Sequence, residues 1–443
     1  MFDHECVPPG GAHVQGSDIG VTVIEYLTHL STASGTMGLR ARVAPTVTSV
    51  SEPTGAPAAE PAPDPAASLE ATAAGFRTWL AANADELEPF RREQAEDIHL
   101  TVARFSPLQR ILWDAGWTRL GWMTDHGGLG GTPVQRFVVI EELAAAGYVL
   151  PEVFGNLEII GPMLIQFAPH LAATHVPLAS RGHEVWCQGF SEPDAGSDLG
   201  SLRTRAVPDG DGFRLTGQKM WSSYGTVASW CCVLARTGEA DSGYRGLTMF
   251  WVDLASPGVR VVPTMCDSGR AETVEIFLDD VYVPGNRLIG GVGQGWATVM
   301  YLMQYERGAY AWLRQAEHHS YLRGLLQHTE RFPEWADAVV GDAYVAIFAL
   351  RSQVRDTVER LAAGEALGPE ISVDKIMLGQ CEQTLTETAR RLLDSRLELA
   401  DDDLADWWRQ RWSYSRITTI YGGAAEVQHD LVAERLLHLP RGR

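Results

Sequence analysis

Residues 187–206 read CQGFSEPDAGSDLGSLRTRA, and residues 215–225 read LTGQKMWSSYG. The first segment carries an Ala-Gly-Ser-Asp turn. The second lies among short alternating strands, FRLTG (213–217), WCCVLAR (230–236) and LTMFWVDL (247–254), punctuated by Asp-Gly, Gly and Pro. This texture begins near residue 185 and ends near 288, so residues 186–290 are expected to form a β domain.

On both sides the period changes to that of helices. In residues 69–185, Phe76, Trp79, Leu80, Leu87 and Phe90 recur near helical spacing, and Val138, Val139, Leu143 and Ala144 form a second stripe, with the glycine-rich turn DHGGLGG (125–131) between them. In residues 291–443 the helical pattern covers 301–326, 338–361 and 372–399 and ends in a charged helix near 431–437. No internal repeat of solenoid period interrupts this order. Residues 43–68 hold six prolines and seven alanines and almost no large apolar side chain, a composition that reads as an extended linker. Residues 1–68 are therefore a leader, with one apolar patch at 21–30, and a linker that uncouples it from the first helix.

Composition narrows the function. The 443 residues suggest two to four domains, and 45% apolar with 21% charged residues is ordinary globular usage. The formal charge of −20 repels nucleic acid and anionic membranes, so neither is an expected partner. Six cysteines without C-x-x-C spacing indicate neither a zinc site nor a disulfide framework, and suit a reducing cytoplasm. Asp3 and Glu5, with no Lys or Arg before Arg40, are unlike a secretory or mitochondrial leader, and no apolar run reaches 18 residues. Glycine strings do not make a nucleotide fold: GGLGG and GGVGQG miss G-x-G-x-x-G, and in GFRLTGQK (212–219) Gln218 separates Gly217 from Lys219, so a β-turn is expected there. His318 and His319 are adjacent, point about 100° apart on a helix, and read as exposed helix residues rather than metal ligands.

The two opening segments, with FLDDVYVPGNRLIG (277–290), Glu306-Arg307 and IYGGAAEVQHDLVAERLL (420–437), resemble the acyl-CoA dehydrogenase family, in family order over residues 69–440. The resemblance implies an α+β fold with an N-terminal helical domain, a central β domain and a C-terminal four-helix bundle. It also implies an FAD-dependent enzyme that takes an α-proton and a β-hydride from an acyl thioester, carried on CoA or an acyl carrier protein, to give the trans-2-enoyl thioester. Trp221 matches the tryptophan that packs on the flavin, Ser223 the hydroxyl at its N5/O4 edge, and Ser191 the contact at its pyrimidine end. Ser197 matches a phosphate and substrate contact. The same match assigns Gln188, Phe190, Gly196, Ala424 and Glu426 to the flavin, and Arg307, Tyr421 and Gly422 to the substrate.

In many members the base is the Glu of a Tyr-Glu-Gly triplet, but here that position is Gly422. A second arrangement, in the isovaleryl-CoA and long-chain branches, puts it on the first C-terminal helix just before an Arg, and Glu306-Arg307 has that form. The catalytic expectation is therefore Glu306 as base, with the Gly422 N–H polarising the thioester carbonyl. The segment YLRGLLQHTERFPEW (321–335) departs from the family's Arg-x-x-Phe-Gly contact to a neighbouring subunit's FAD, the Gln-x-x-Gly-Gly cradle is unrecognisable near 392–399, and Ala424 replaces a common Thr. The resemblance further implies a homotetramer or homodimer and an electron-transfer flavoprotein as acceptor. Two rivals share the fold: a flavin monooxygenase, which needs no carboxylate base, and a non-catalytic partner subunit.

Overall fold

The computed structural model describes residues 62–91, 98–151, 153–267, 269–327 and 333–440. The leader, with its apolar patch, and most of the Pro/Ala stretch lie outside the described residues. Helices α1 (Leu69–Ala82), α2 (Ala84–Leu87), α3 (Ile98–Asp114), α4 (Pro133–Ala145), α5 (Val153–Phe167) and α6 (Pro169–Ser180) come first. α1 is capped by Ser68, whose hydroxyl accepts from the Ala71 N–H. α4 opens with a Thr132/Gln135 capping box and Pro133 in its first turn. Gln135 Nε2 also donates to the carbonyls of Pro65 (3.2 Å) and Ala67 (3.0 Å). The linker expectation thus fails at its C-terminal end, where these bonds fasten the chain to α4. Arg136 and Glu158, both buried, form a two-pronged ion pair of 2.6 Å bonds that ties α4 to α5.

The sheet follows: β1 (Trp186–Gly189), β2 (Arg205–Asp209), β3 (Gly212–Ser223), β4 (Trp230–Arg236), β5 (Leu247–Asp253), β6 (Val259–Thr264), β7 (Thr273–Pro284) and β8 (Leu288–Ile289). Its order is β6-β7-β3-β2-β4-β5-β8, with β1 parallel to β4. GFRLTGQK is strand rather than turn: it is the first two-thirds of β3, paired with β2 and β7 on either side. Both faces are covered. Trp186, Leu234, Met249 and Trp251 pack with Ile160, Leu164 and Leu302 from the helices, while Leu215, Val233, Phe250 and Ile276 close the other face. Each such side chain contributes roughly 1.5–3 kcal/mol on burial.

Beyond the sheet, α7 (Gly295–Arg307) continues through Gly308, itself helical at φ −84° and ψ −67°, into α8 (Ala309–Gln327). α9 (Ala336–Ala362), α10 (Ile371–Leu393), α11 (Ser395–Leu399), α12 (Asp403–Tyr414) and α13 (Ala425–Leu431) complete the chain, with a π-turn at Val432–Leu436. α7–α8, α9, α10 and α12 make the C-terminal bundle, packed on residues such as Trp312, Ile347, Leu385 and Trp408. α12 is absent from the sequence reading because only Ala405 and Trp408 of its twelve residues are buried, too few to set a period. His318 also corrects an expectation. It is buried, with Nδ1 3.6 Å from Cys381 Sγ and Nε2 3.7 Å from Glu382, because α8 is enclosed by α4 on one side and α9 and α10 on the other.

Candidate active site

The edge of the site in the β domain is built on a bulge. The β3–β7 register slips between Lys219 and Ser222, and Trp221 takes a left-handed φ of 61°. The turn throws the indole outward, 57% exposed, while Ser222 is buried and Ser223 is exposed again. A large apolar ring held in a strained conformation at a sheet edge suits a flat ligand, so these residues fit the isoalloxazine end of a flavin. Behind the bulge, Lys219, fully buried, donates to Glu192 Oε1 (2.7 Å) and to the Phe190 carbonyl (3.0 Å). Glu192 also accepts from the backbone N–H groups of Arg203 (2.7 Å) and Thr204 (2.9 Å). Burial alone would raise the Glu192 pKa, but Lys219 and these hydrogen bonds hold it below its ordinary value. Lys219 itself is pushed down to about 8 by burial. The Met220 N–H donates to the Ser191 carbonyl (2.9 Å), so the segment carrying Gln188, Phe190 and Ser191 is fastened to the strand carrying Trp221.

The other side comes from the bundle. Glu306 lies on the last turn of α7, and Gly422 follows Tyr421 in the loop before α13. A Cβ placed on Gly422 would sit 2.8 Å from Glu306 Oε1 and 3.5 Å from Lys375 Cε. Gly422 has φ 62°, so glycine is required there both by conformation and by the space that Glu306 fills. Burial raises the pKa of Glu306, opposed by Arg307, by Lys375 and by the Gln188 amide as a hydrogen-bonding neighbour across from β1. Lys375, buried on α10, donates to the Thr418 carbonyl and lies 4.2 Å above the Tyr421 ring, and burial pushes its pKa down to about 8. Arg307 reaches the same loop: its Nη2 would be 3.4 Å from a Cβ on Gly423.

The structure therefore brings Gln188, Glu306, Arg307, Tyr421 and Gly422 together, and places Phe190, Ser191, Trp221 and Ser223 on one strand-and-turn unit. Gly196 and Ser197 sit on an exposed turn, with open space around Gly196. Ala424 is the N-cap of α13, and Glu426 is exposed in its first turn. Arg323 donates to the Ala145 carbonyl (2.5 Å) within its own chain. Sequence reasoning missed two groups. Lys375 falls with Ile371, Leu378 and Leu385 on the apolar stripe of α10, and a lysine on that stripe is the signal for it. Lys219 shares the inward face of β3 with Leu215, a period-two position where a charge needs a buried partner.

Comparison with known proteins gives these arrangements a family. The acyl-CoA dehydrogenase N-terminal domain matches residues 74–171, the middle domain residues 187–281 and the C-terminal domain residues 293–437. The chain is 34% identical to acyl-CoA dehydrogenase IpdE1 of Mycobacterium tuberculosis over 74% of this chain and 86% of that protein. With IpdE1 of Mycolicibacterium smegmatis the identity is 31%, over 80% and 90% of the two chains. Among solved structures, a variant of the Tcur3481–Tcur3483 steroid ACAD superimposes with a TM-score of 0.72 at 25% identity, covering 84% of this chain and 99% of that one. Three family domains in order, and relatives matched over most of their length, place this chain in the acyl-CoA dehydrogenase family.

Proposed function

We propose that this protein is an FAD-dependent dehydrogenase of an acyl thioester, carried on CoA or an acyl carrier protein, with Glu306 as its base. One observation carries the reading: the Glu306 carboxyl faces the Gly422 backbone, in the space that a side chain at 422 would otherwise occupy. Such placement lets one thioester present its carbonyl to the Gly422 N–H and its α-carbon to the carboxylate. The N–H stabilises charge that develops on the carbonyl oxygen, which acidifies the α-proton. Glu306 takes that proton, and its raised pKa suits it to hold one. Arg307 and Lys375 oppose that rise and favour the ionised form that acts as a base. FAD, when bound, accepts the β-hydride as the 2,3-double bond forms.

Trp221, Ser223, Ser191, Gln188 and Phe190 would hold the isoalloxazine end. Gly196 and Ser197, whose turn is open, would take the phosphates, and Ala424 and Glu426, at the start of α13, would meet the remainder. Arg323 donates to the Ala145 carbonyl of its own chain, so in the expected homotetramer or homodimer a residue other than Arg323 would have to reach a neighbouring subunit's FAD. An electron-transfer flavoprotein would reoxidise the enzyme. Cys187, Cys231, Cys232, Cys266 and Cys381 are all unpaired, in keeping with a reducing compartment such as the cytoplasm. Among the described residues, no helix is long and apolar enough to cross a membrane.

The test is anaerobic titration of the yellow protein with a panel of acyl-CoA thioesters. Bleaching of the flavin by at least one of them, with formation of the 2-enoyl thioester, is the expected result. Protein that binds flavin and thioester without bleaching, yet inserts one atom of O2 into a substrate and reduces the other to water when supplied with a reductant, would instead be a monooxygenase.

A further inference from the structure

A cavity of about 110 Å³ is lined by Gly155, Tyr224, Tyr310, Arg314, Arg411 and Tyr414 among others. Its walls connect it to the site. Tyr224 is three residues beyond Trp221 on the bulge. Tyr310 and Arg314 follow Glu306 at i+4 and i+8 on the continuous α7–α8 helix, hence on the same face. The rings of Tyr310 and Tyr414 lie 6.4 Å and 6.2 Å from that of Tyr421, the residue before Gly422.

For a pocket that would take the far end of an acyl chain, this lining is unusually rich in donors. Arg314 uses two of its nitrogens on Glu317 (2.5 Å) and Glu382 (2.7 Å). Arg270 pairs with Glu272 at 3.2 Å in the same wall. Arg411 stacks 3.5 Å from the Trp407 ring, and its Nη2 donates to the Tyr321 hydroxyl at 3.3 Å. The buried Nε of both Arg314 and Arg411 lacks an acceptor among the described residues. A saturated alkyl end offers no acceptor to the guanidinium groups of this wall, and a buried donor left without one is costly.

Building on the dehydrogenase reading, we propose that the acyl group carries an oxygen acceptor, a ketone or a carboxylate, at its far end, and that this oxygen is bound in the cavity by Arg411 and Arg314. Spacing sets the reach. Eight residues of helix separate Glu306 from Arg314, about 12 Å of rise, roughly the length of an extended ten-carbon chain.

The experiment compares decanoyl-CoA, 9-oxodecanoyl-CoA and decanedioyl-CoA, by flavin reduction and by calorimetric binding to the flavin-loaded enzyme. One of the oxygen-bearing thioesters should bind roughly 10- to 100-fold more tightly than decanoyl-CoA, as a hydrogen bond to a charged donor warrants, and which one does so tells ketone from carboxylate. In Arg411→Met that preference should fall about tenfold, and Arg411→Lys should restore part of it. Decanoyl-CoA binding as tightly as both others, with the flavin still reduced, overturns the inference and leaves the dehydrogenase reading standing. An oxygen-bearing thioester bound preferentially with no flavin reduction would do the reverse. Equal binding and no reduction would overturn both.

Discussion

The molecule holds two buried lysine–glutamate neighbourhoods that differ in one respect. Lys219 and Lys375 are both enclosed and both pushed down to about 8 by burial. Lys219 meets its glutamate directly, and Glu192, with two backbone donors as well, is held below its ordinary pKa. Lys375 instead donates its hydrogen bond to the Thr418 carbonyl and covers Tyr421, so burial raises the Glu306 pKa and is only partly offset by Arg307, Lys375 and Gln188. The residue types are the same, and the number of donors on the carboxylate separates an anchor from the proposed base. The anchor fixes the strand that presents Trp221, whereas the under-compensated carboxyl retains its appetite for a proton.

Substitutions in the two neighbourhoods put this contrast at risk. Lys219→Met should be the most damaging, leaving Glu192 buried and unpaired at a cost of about 3–5 kcal/mol, read as a fall in urea midpoint, and a Lys219→Met/Glu192→Leu double variant should recover much of it. A smaller loss for the single variant would mean that the backbone donors suffice to hold the carboxylate. Gly422→Ala should cost about 1–3 kcal/mol through its left-handed backbone and the collision of the new methyl group with Glu306. That collision, but not the backbone strain, should be relieved by shortening Glu306 to Asp. The same geometry means that restoring a carboxylate at position 422 requires a small residue at 306.

Stability against pH should have opposite signs at the two glutamates. Glu192, with a lowered folded pKa, contributes stability that is present above its unfolded pKa near 4.5 and is lost as pH falls through the folded value, so Glu192→Gln should weaken the fold at neutral pH. Glu306, with a raised folded pKa, holds its proton more tightly when folded, and stability declines as pH rises from about 4.5 through the folded value. Glu306→Gln removes that decline and should stabilise the protein above it by about 0.5–2 kcal/mol. Thermal melts from pH 4 to pH 9 check both signs. The subtlest effect belongs to Lys375→Met. Removing a charge that lowers the Glu306 pKa should move the acid limb of the flavin-reduction profile to higher pH. An unmoved limb would make Lys375 a purely structural support for the Thr418–Gly422 loop.

How legible this was depended on where the chemistry lies along the chain. The Trp221 side is contiguous: turn and strand fall within about forty residues, so one family-like motif spans them, although the bulge itself appears only in the pairing of β3 with β7. Glu306 and Gly422 are legible only through the family resemblance, in which a Glu-Arg on the first C-terminal helix accompanies a small residue at the other position. Lys375 could not be found by proximity, since its link to Glu306 crosses between α7 and α10, more than sixty residues apart. The burial of Lys219 was hidden because GFRLTGQK looks like a turn until β7 pairs along it, and His318 was misplaced because one helix in isolation does not show how many neighbours enclose it. α12, with few buried residues, left almost no periodic trace.

That Glu306 accepts the α-proton is the claim on which the rest depends, and rapid-mixing measurement of flavin reduction in Glu306→Gln is its sharpest test. The amide keeps size and hydrogen bonding but not basicity, so flavin content should match the parent while reduction by a thioester that bleaches the parent falls by roughly 10² or more. Reduction at the parental rate, with flavin content and fold unchanged, would contradict it.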